Sequence, residues 1–190
     1  FGVEVIYEQV MSAELSGDIK KVTTENQTIE AKVVIIASGA KPKTLGVANE
    51  GRLRGRGVSY CATCDGFFFK DQPVAVVGGG DTAVEEAMYL TKMCSSVTLI
   101  HRRDALRANR TAQNRALNND KLHILYDTVV DDIIGEEKVT QLSLKNVKTE
   151  ETSTLDVNGV FIFVGYSPNG SFLPDDLAVD THGYIITNEE

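Results

Sequence analysis

Pro73-Val74-Ala75-Val76-Val77-Gly78-Gly79-Gly80-Asp81-Thr82-Ala83 is the stretch that decides the fold. A short apolar run, bounded on one side by proline and on the other by glycines, suits a strand buried on both faces. The glycines break it, and residues 81–93 then carry a helical pattern. Reading outward, Val97-Thr98-Leu99-Ile100 is a second strand, residues 106–119 a second helix, and Leu122-His123-Ile124-Leu125 a third strand. A βαβαβ series of this kind is the signature of a doubly wound domain with a parallel sheet. The expected fold class is therefore α/β, with a Rossmann-like central sheet. Ile133-Ile134, residues 139–147 and residues 152–157 predict an antiparallel β insert. Val160-Phe161-Ile162-Phe163-Val164 is a last buried strand, running into Gly165-Tyr166-Ser167-Pro168-Asn169. Gly183-Tyr184-Ile185-Ile186 begins one more strand close to the chain's end.

The first 40 residues have a different character. Residues 3–11, 19–24 and 28–36 alternate or run apolar, separated by Ser16-Gly17-Asp18 and Glu25-Asn26-Gln27, which suit turns. That pattern predicts a β-meander. Its last part, Val33-Val34-Ile35-Ile36, reads as a buried strand ending in the small residues Ala37-Ser38-Gly39-Ala40. Small residues there let a backbone come close to a ligand or to another segment. Residues 41–57, punctuated by glycine and proline, read as a junction. The expected organisation is a mostly β segment over 1–57, a nucleotide-binding domain over 58–165, and a return to the first domain over 166–190.

Composition excludes several function classes. The chain has 190 residues, 42% of them apolar and 24% charged, as expected for a globular core of normal density. A net charge of −8 argues against a general nucleic-acid footprint. No apolar run reaches the roughly 18 residues of a membrane span, and no segment resembles a signal peptide. Three cysteines are too few for a disulfide scaffold, and a C-x-x-C spacing at 61–64 reads as a redox pair. The expected compartment is the cytoplasm, and no membrane or nucleic-acid partner is expected.

Gly78-Gly79-Gly80-Asp81-Thr82-Ala83 fits G-x-G-x-x-A between a strand and a helix. Gly78 permits the tight turn, Gly80 lets backbone N–H groups meet a pyrophosphate, and Ala83 lets helix and strand pack closely. About 20 residues on, an NAD site places an acid for the ribose 2′-hydroxyl. This chain instead has His101-Arg102-Arg103, with Arg107 one turn later. Arginine offers planar donors to phosphate oxygens, so the cluster favours the 2′-phosphate of NADPH over NADH. A run of cations is more often a solvated surface patch; its place at the end of the second strand reverses that reading.

Cys61-Ala62-Thr63-Cys64-Asp65-Gly66 stands ahead of Phe67-Phe68-Phe69. Two sulfurs at this spacing can close a small ring at a helix start, where the dipole favours a thiolate. Asp65 beside them can serve as acid or base toward a departing sulfur. Zinc needs four ligands, there is no second C-x-x-C, and Cys94, His101 and His123 are dispersed along the chain, so no metal site is expected. Cys94 reads as a small buried residue near the first helix's end.

Together these segments resemble the low-molecular-weight thioredoxin reductases. The resemblance rests on Cys-Ala-Thr-Cys-Asp-Gly at 61–66, Gly-Gly-Gly-Asp-Thr-Ala-Val-Glu-Glu-Ala at 78–87, His-Arg-Arg at 101–103 and Gly-Tyr-Ser-Pro-Asn at 165–169. It implies two similar α/β domains, one for FAD and one for NADPH, that rotate relative to each other in a homodimer. It also implies hydride transfer from NADPH to FAD, reduction of a Cys61–Cys64 disulfide, and exchange with thioredoxin. Carried over, Cys64 faces the flavin, Cys61 attacks thioredoxin and Asp65 is the acid. Gly78, Gly79, Gly80, Asp81, Thr82, Ala83, Glu86, His101, Arg102, Arg103, Arg107 and Gly165 would contact cofactor, as would Ala37, Ser38 and Gly39. Ser38 departs from the threonine usual in that last segment. The family's first glycine motif and its later Gly-Asp segment, both FAD contacts, are absent. The expectation is a chain cut at both ends that binds NADPH, holds FAD weakly or not at all, and does not turn over.

The nearest rival is the flavoprotein subunit of alkyl hydroperoxide reductase. Its Cys-Pro-His-Cys motif and NADH preference differ from what stands here. A non-catalytic NADPH-binding redox module is the rival from another class, and Asp65 directly after the pair argues against it.

Overall fold

The computed structural model describes residues 2–188. The chain forms two compact units, Pro42–Gly165 and, from two stretches, Phe1–Lys41 with Tyr166–Glu190.

In the smaller unit, β1 (Val10–Glu14), β2 (Lys20–Thr24) and β3 (Thr28–Ala31) form the expected antiparallel meander. Two expectations fail here. Residues 3–9 join no strand, and β1 starts only at Val10. Residues 33–36, read as a buried strand, are neither paired nor buried: Val33 is 76% exposed and Ile35 87%. A strand needs neighbours on both edges and both faces to bury such a run, and the described residues supply none. β4 (Ala40–Pro42) follows and pairs with β13 (Tyr166–Pro168). The strand expected at 183–186 reduces to one antiparallel bridge, between Val179 and Ile185.

The larger unit is built on a five-stranded parallel sheet. Its members are β5 (Val58–Ser59), β6 (Pro73–Gly78), β7 (Ser96–Ile100), β8 (Leu122–Leu125) and β12 (Gly159–Phe163), in the order β5-β12-β6-β7-β8. The helices are the single-turn α1 (Ala62–Asp65), α2 (Asp81–Leu90) and α3 (Arg110–Leu117). The second of the expected helices is thus shorter than 106–119. Asn109 caps it, its side chain accepting the Ala112 N–H at 2.9 Å, so the four residues before Arg110 form a loop. Helix α2 likewise stops at Leu90, short of residue 93.

The insert is a three-stranded antiparallel sheet of β9 (Thr128–Ile134), β10 (Gln141–Asn146) and β11 (Thr152–Asp156). It explains why β6 is apolar at successive positions. Val74 and Val76 pack with Val84, Ala87 and Leu90 of α2, and with Ala112 and Ala116 of α3. Ala75 and Val77, on the opposite face, pack with Val130, Ile133, Leu142 and Leu144 of the insert. A strand covered on both faces has no polar side, so alternation disappears from its sequence.

Candidate functional site

Sheet order fixes where a ligand can sit. From β6 through β7 to β8 the chain winds one way, and β12 lies on the other side of β6. The crevice beyond the carboxyl ends at such a reversal is the usual ligand position in open α/β sheets. A cleft of about 450 Å³ lies there, lined by Val77, Gly78 and Gly79 after β6, Ile100, His101 and Arg102 after β7, and Phe163 and Val164 after β12. Arg107, Lys43 and Thr44 also line it.

Two of the glycines are explained by what a side chain would strike. A Cβ at Gly78 would lie 2.5 Å from the Phe163 carbonyl oxygen and 2.6 Å from the Ala83 Cβ. Gly78 and Ala83 together therefore let α2 start tight against the sheet. A Cβ at Gly79 would fall 2.2 Å from Nδ1 of His101. Gly80 differs, with open space around it. It is the N-cap of α2, and no side chain caps that end. The first N–H groups of the helix are thus left for an anion or for water.

His101 is buried beneath this loop, with Nε2 3.0 Å from the Ala105 carbonyl oxygen. Burial pushes its pKa below the ordinary histidine value, and the Arg107 and Arg103 cations act in the same direction. A neutral ring shaping the loop is the result. The segment after it is tied back to the glycines: Arg107 and Ala108 both donate their N–H to the Gly79 carbonyl, at 2.7 and 3.1 Å. Asp81 accepts from both the backbone N–H and the side-chain amide of Asn109, at 2.7 and 2.8 Å, and these bonds lower its pKa. Its carboxylate is a clamp between the two loops. Arg102, Arg103 and Arg107 are all exposed, but Arg103 does not line the cleft, and its carbonyl accepts the Asp127 N–H. Thr82 is exposed at the start of α2. Glu86, one turn further, has a buried Oε2 without a hydrogen-bond partner, and desolvation raises its pKa.

The cysteines stand on the crossover from β5 into α1. Cys61 and Cys64 form a disulfide, with S–S 1.98 Å and Cα atoms 5.3 Å apart. Cys61 is the N-cap of α1, and its sulfur accepts the Cys64 N–H at 3.2 Å. Asp65 is half-buried, and its Oδ2 accepts a hydrogen bond from the Ser59 hydroxyl at 2.6 Å. After it the chain makes a turn of 3-10 helix over Gly66–Phe69. Phe69 anchors that turn edge-on against the core residue Phe161, at 5.4 Å between ring centres. Phe67 and Phe68 point outward and are 75% and 73% exposed. A disulfide flanked by two solvent-facing phenyl rings offers an apolar contact beside a reactive bond.

Ala37, Ser38 and Gly39 lie together in the smaller unit, all exposed. Asn169 donates its N–H to the Gly39 carbonyl and its side-chain amide to the Ser38 carbonyl, both at 3.0 Å. Gly165 takes a φ of 109°, and its carbonyl accepts the Lys43 N–H at 2.9 Å. Cys94, His101 and His123 are scattered: the first is in the core, the second under the glycine loop and the third exposed. Among the described residues, no three His, Cys, Asp or Glu side chains form a possible metal cluster. No described helix is long and apolar enough to cross a membrane.

Sequence reasoning missed four residues. Lys43 and Thr44 reach the cleft from the connection before β5, which carries no motif. Ser59 and Asn109 act through side-chain bonds to Asp65 and Asp81. Only the S/N-type cap signal at Asn109 was there to be read.

Comparison with known proteins places this geometry. The pattern of the family described as "Pyridine nucleotide-disulphide oxidoreductase" matches residues 2–190. Thioredoxin reductase of Streptomyces coelicolor is 48% identical over 186 residues, covering 97% of this chain and 58% of the relative. A bifunctional thioredoxin reductase/thioredoxin of Mycobacterium leprae is 46% identical, over 98% of this chain and 41% of its own length. The crystal structure of Lactococcus lactis thioredoxin reductase (FR conformation) superposes with a TM-score of 0.88 at 44% identity, covering 99% of this chain and 62% of that one. The chain thus spans about three-fifths of the Streptomyces and Lactococcus reductases and two-fifths of the bifunctional relative. With a nucleotide-type cleft and a redox disulfide in one α/β unit, and the family pattern running almost end to end, this chain belongs to the pyridine nucleotide-disulphide oxidoreductases.

Proposed function

We propose that this chain carries the NADPH-binding and disulfide-bearing part of a cytoplasmic thioredoxin reductase. The observation that carries the reading is the Cys61–Cys64 disulfide with Asp65 beside it, in the same compact unit as a glycine-loop cleft lined by Arg102, Arg107 and Lys43. Residues 58–165 form the NADPH domain in this reading, and 1–57 with 166–190 contribute to the FAD domain of a homodimer.

The cleft residues fit the dinucleotide. Gly78 and Gly79 keep Cβ atoms out of the loop, and Gly80 leaves open space before the uncapped helix. The pyrophosphate would be held by the N–H groups of Asp81, Thr82 and Ala83. Arg102, Arg107 and Lys43 would pair with the 2′-phosphate, with Arg103 adding charge nearby. Glu86 keeps an unpartnered carboxyl oxygen for an N–H of the ligand. Ala37, Ser38 and Gly39 would meet FAD with small side chains, Gly165 would contact cofactor from its own unit, and FAD retention by this chain alone would be weak.

When bound, NADPH and FAD would supply the electron pair that reduces the disulfide. The chain's own residues do the rest. Cys64 would be the flavin-side sulfur, and Asp65 would give the departing sulfur, that of Cys61, its proton. Cys61 would return that proton to Asp65 and attack the disulfide of thioredoxin as a thiolate. The exposed rings of Phe67 and Phe68 suit a protein substrate at this point.

The test is a titration of the chain with NADPH and NADH, with visible absorbance recorded for flavin. Expected are preferential NADPH binding, little flavin, and loss of the preference in Arg102→Ala/Arg107→Ala. Equal binding of both nucleotides would remove the role given to the arginines and favour a peroxide-reductase flavoprotein. A stoichiometric flavin with thioredoxin turnover would show that the chain is sufficient by itself.

A further inference from the structure

The chemistry around Cys61–Cys64 needs a proton at one moment and not the next, and one buried hydroxyl is built to follow it. Ser59 is 5% exposed at the end of β5. Its Oγ accepts the Cys61 N–H at 3.1 Å, which fixes the oxygen against the first cysteine. The same oxygen stands 2.6 Å from Oδ2 of Asp65 and 3.3 Å from the Cys61 carbonyl oxygen. A hydroxyl has one proton to donate and two lone pairs with which to accept. One lone pair is committed to the Cys61 N–H, so the proton and the other lone pair are shared between Asp65 and the carbonyl.

We infer that Ser59 is the positioning residue for Asp65 in disulfide exchange, a rotor whose hydroxyl matches both protonation states of that carboxyl. The inference rests on the acid role given to Asp65 above. With Asp65 as carboxylate, Ser59 donates to Oδ2. With Asp65 protonated, the carboxyl donates to Ser59, and the hydroxyl turns its own proton to the Cys61 carbonyl. Neither state leaves a buried donor or acceptor unmatched, which would otherwise cost free energy. A hydrophobic residue at position 59 would keep the strand but strand the carboxylate.

An incoming thiolate forms a bond to one cysteine sulfur while the Cys61–Cys64 bond breaks, and its electron pair moves to the other sulfur. That thiolate takes the proton of Asp65. Ser59 then rotates from the Cys61 carbonyl to the new carboxylate. A second thiol of the reductant attacks the mixed disulfide, leaving two reduced cysteines and an oxidised, cyclic reductant.

Dithiothreitol supplies both thiols, so the test needs neither flavin nor thioredoxin. The oxidised chain is mixed with dithiothreitol between pH 6 and 9, quenched, alkylated and weighed by mass spectrometry (the pH limits are set at about two units around neutrality to span thiolate formation). Ser59→Ala is expected to reduce the rate per dithiothreitol thiolate about tenfold, the weight of one hydrogen bond to a charged group. Ser59→Thr, which keeps the hydroxyl, should restore the rate. In an Asp65→Asn background the same Ser59→Ala change should cost less than about twofold, since the serine acts through the carboxyl. An unchanged rate in Ser59→Ala would overturn the inference. So would an equal loss in the presence and absence of Asp65, which would make Ser59 only a brace for the turn. Failure of the thioredoxin reductase reading would appear in the nucleotide titration and not here.

Discussion

The two units carry apolar sequence of similar quality and use it in opposite ways. Pro42–Gly165 buries its valines, leucines and isoleucines on both faces of a parallel sheet. In the smaller unit, Val3, Val5, Tyr7, Val33 and Ile35 are all well over half exposed, and Ala13 is its one buried apolar residue among those described. Apolar runs become core only where neighbours exist for each edge and each face. Helices α2 and α3 and the antiparallel insert supply them in the larger unit. In the smaller unit the three-stranded meander has no such layer among the described residues.

The largest effect expected from this contrast is on stability. Phe161→Ala removes a fully buried ring between β6 and the Phe69 turn, and should cost about 3–5 kcal/mol in urea unfolding. Ile35→Ala, at a residue 87% exposed, should stay within about 0.5 kcal/mol. Comparable losses at the two sites would break the comparison.

Glycine substitutions separate the units by cause. Gly79→Ala drives a methyl into His101 and should cost about 1–3 kcal/mol while lowering NADPH affinity, because the Arg107 loop hangs on the Gly79 carbonyl. Gly17→Ala meets nothing within 4 Å, and its penalty, roughly 1 kcal/mol, comes from a φ of +75° alone. Gly17→Asn should recover part of that loss, and no such rescue is expected at Gly79.

The smallest and most discriminating effect is the pH response, read by hydrogen exchange resolved along the chain. In the larger unit burial pushes the Cys94 thiol up to about 11 and Tyr60 up to about 12, the latter helped by its bond to Glu50. An unfolded chain ionises those groups at lower pH, binding fewer protons than the folded one, so stability falls as pH rises from about 9 toward those values. His101 sets the acid side. Its lowered pKa means that the unfolded state binds more protons, so stability is lost as pH falls below about 6.5. Cys94→Ala should flatten the alkaline limb and His101→Gln the acid one. In the smaller unit the described carboxylates of lowered pKa are the half-buried Glu8, held chiefly by Thr24, and the exposed Asp180, held chiefly by the Tyr184 N–H. Its loss should begin only as pH falls below their ordinary range, about 4–4.5. Matching limbs in both units would erase the distinction.

Sequence alone determined the larger unit, because its signals are local and agree with one another. The β6 run, the glycine loop, the α2 pattern and the C-x-x-C spacing each follow from a few neighbouring residues; a cleft lies beside the glycine loop, and a disulfide joins Cys61 to Cys64. The residues 33–36 misled for the same reason. Their local pattern is that of a buried strand, but burial is a property of what lies across from them. Only the tertiary structure brought Lys43 to the arginines, set His101 under Gly79, tied Asp81 to Asn109 and put the Ser59 hydroxyl on Asp65. Such contacts depend on how loops close over a sheet's end. A hydrogen bond between side chains leaves no periodicity along the chain, so no window of sequence could have contained it.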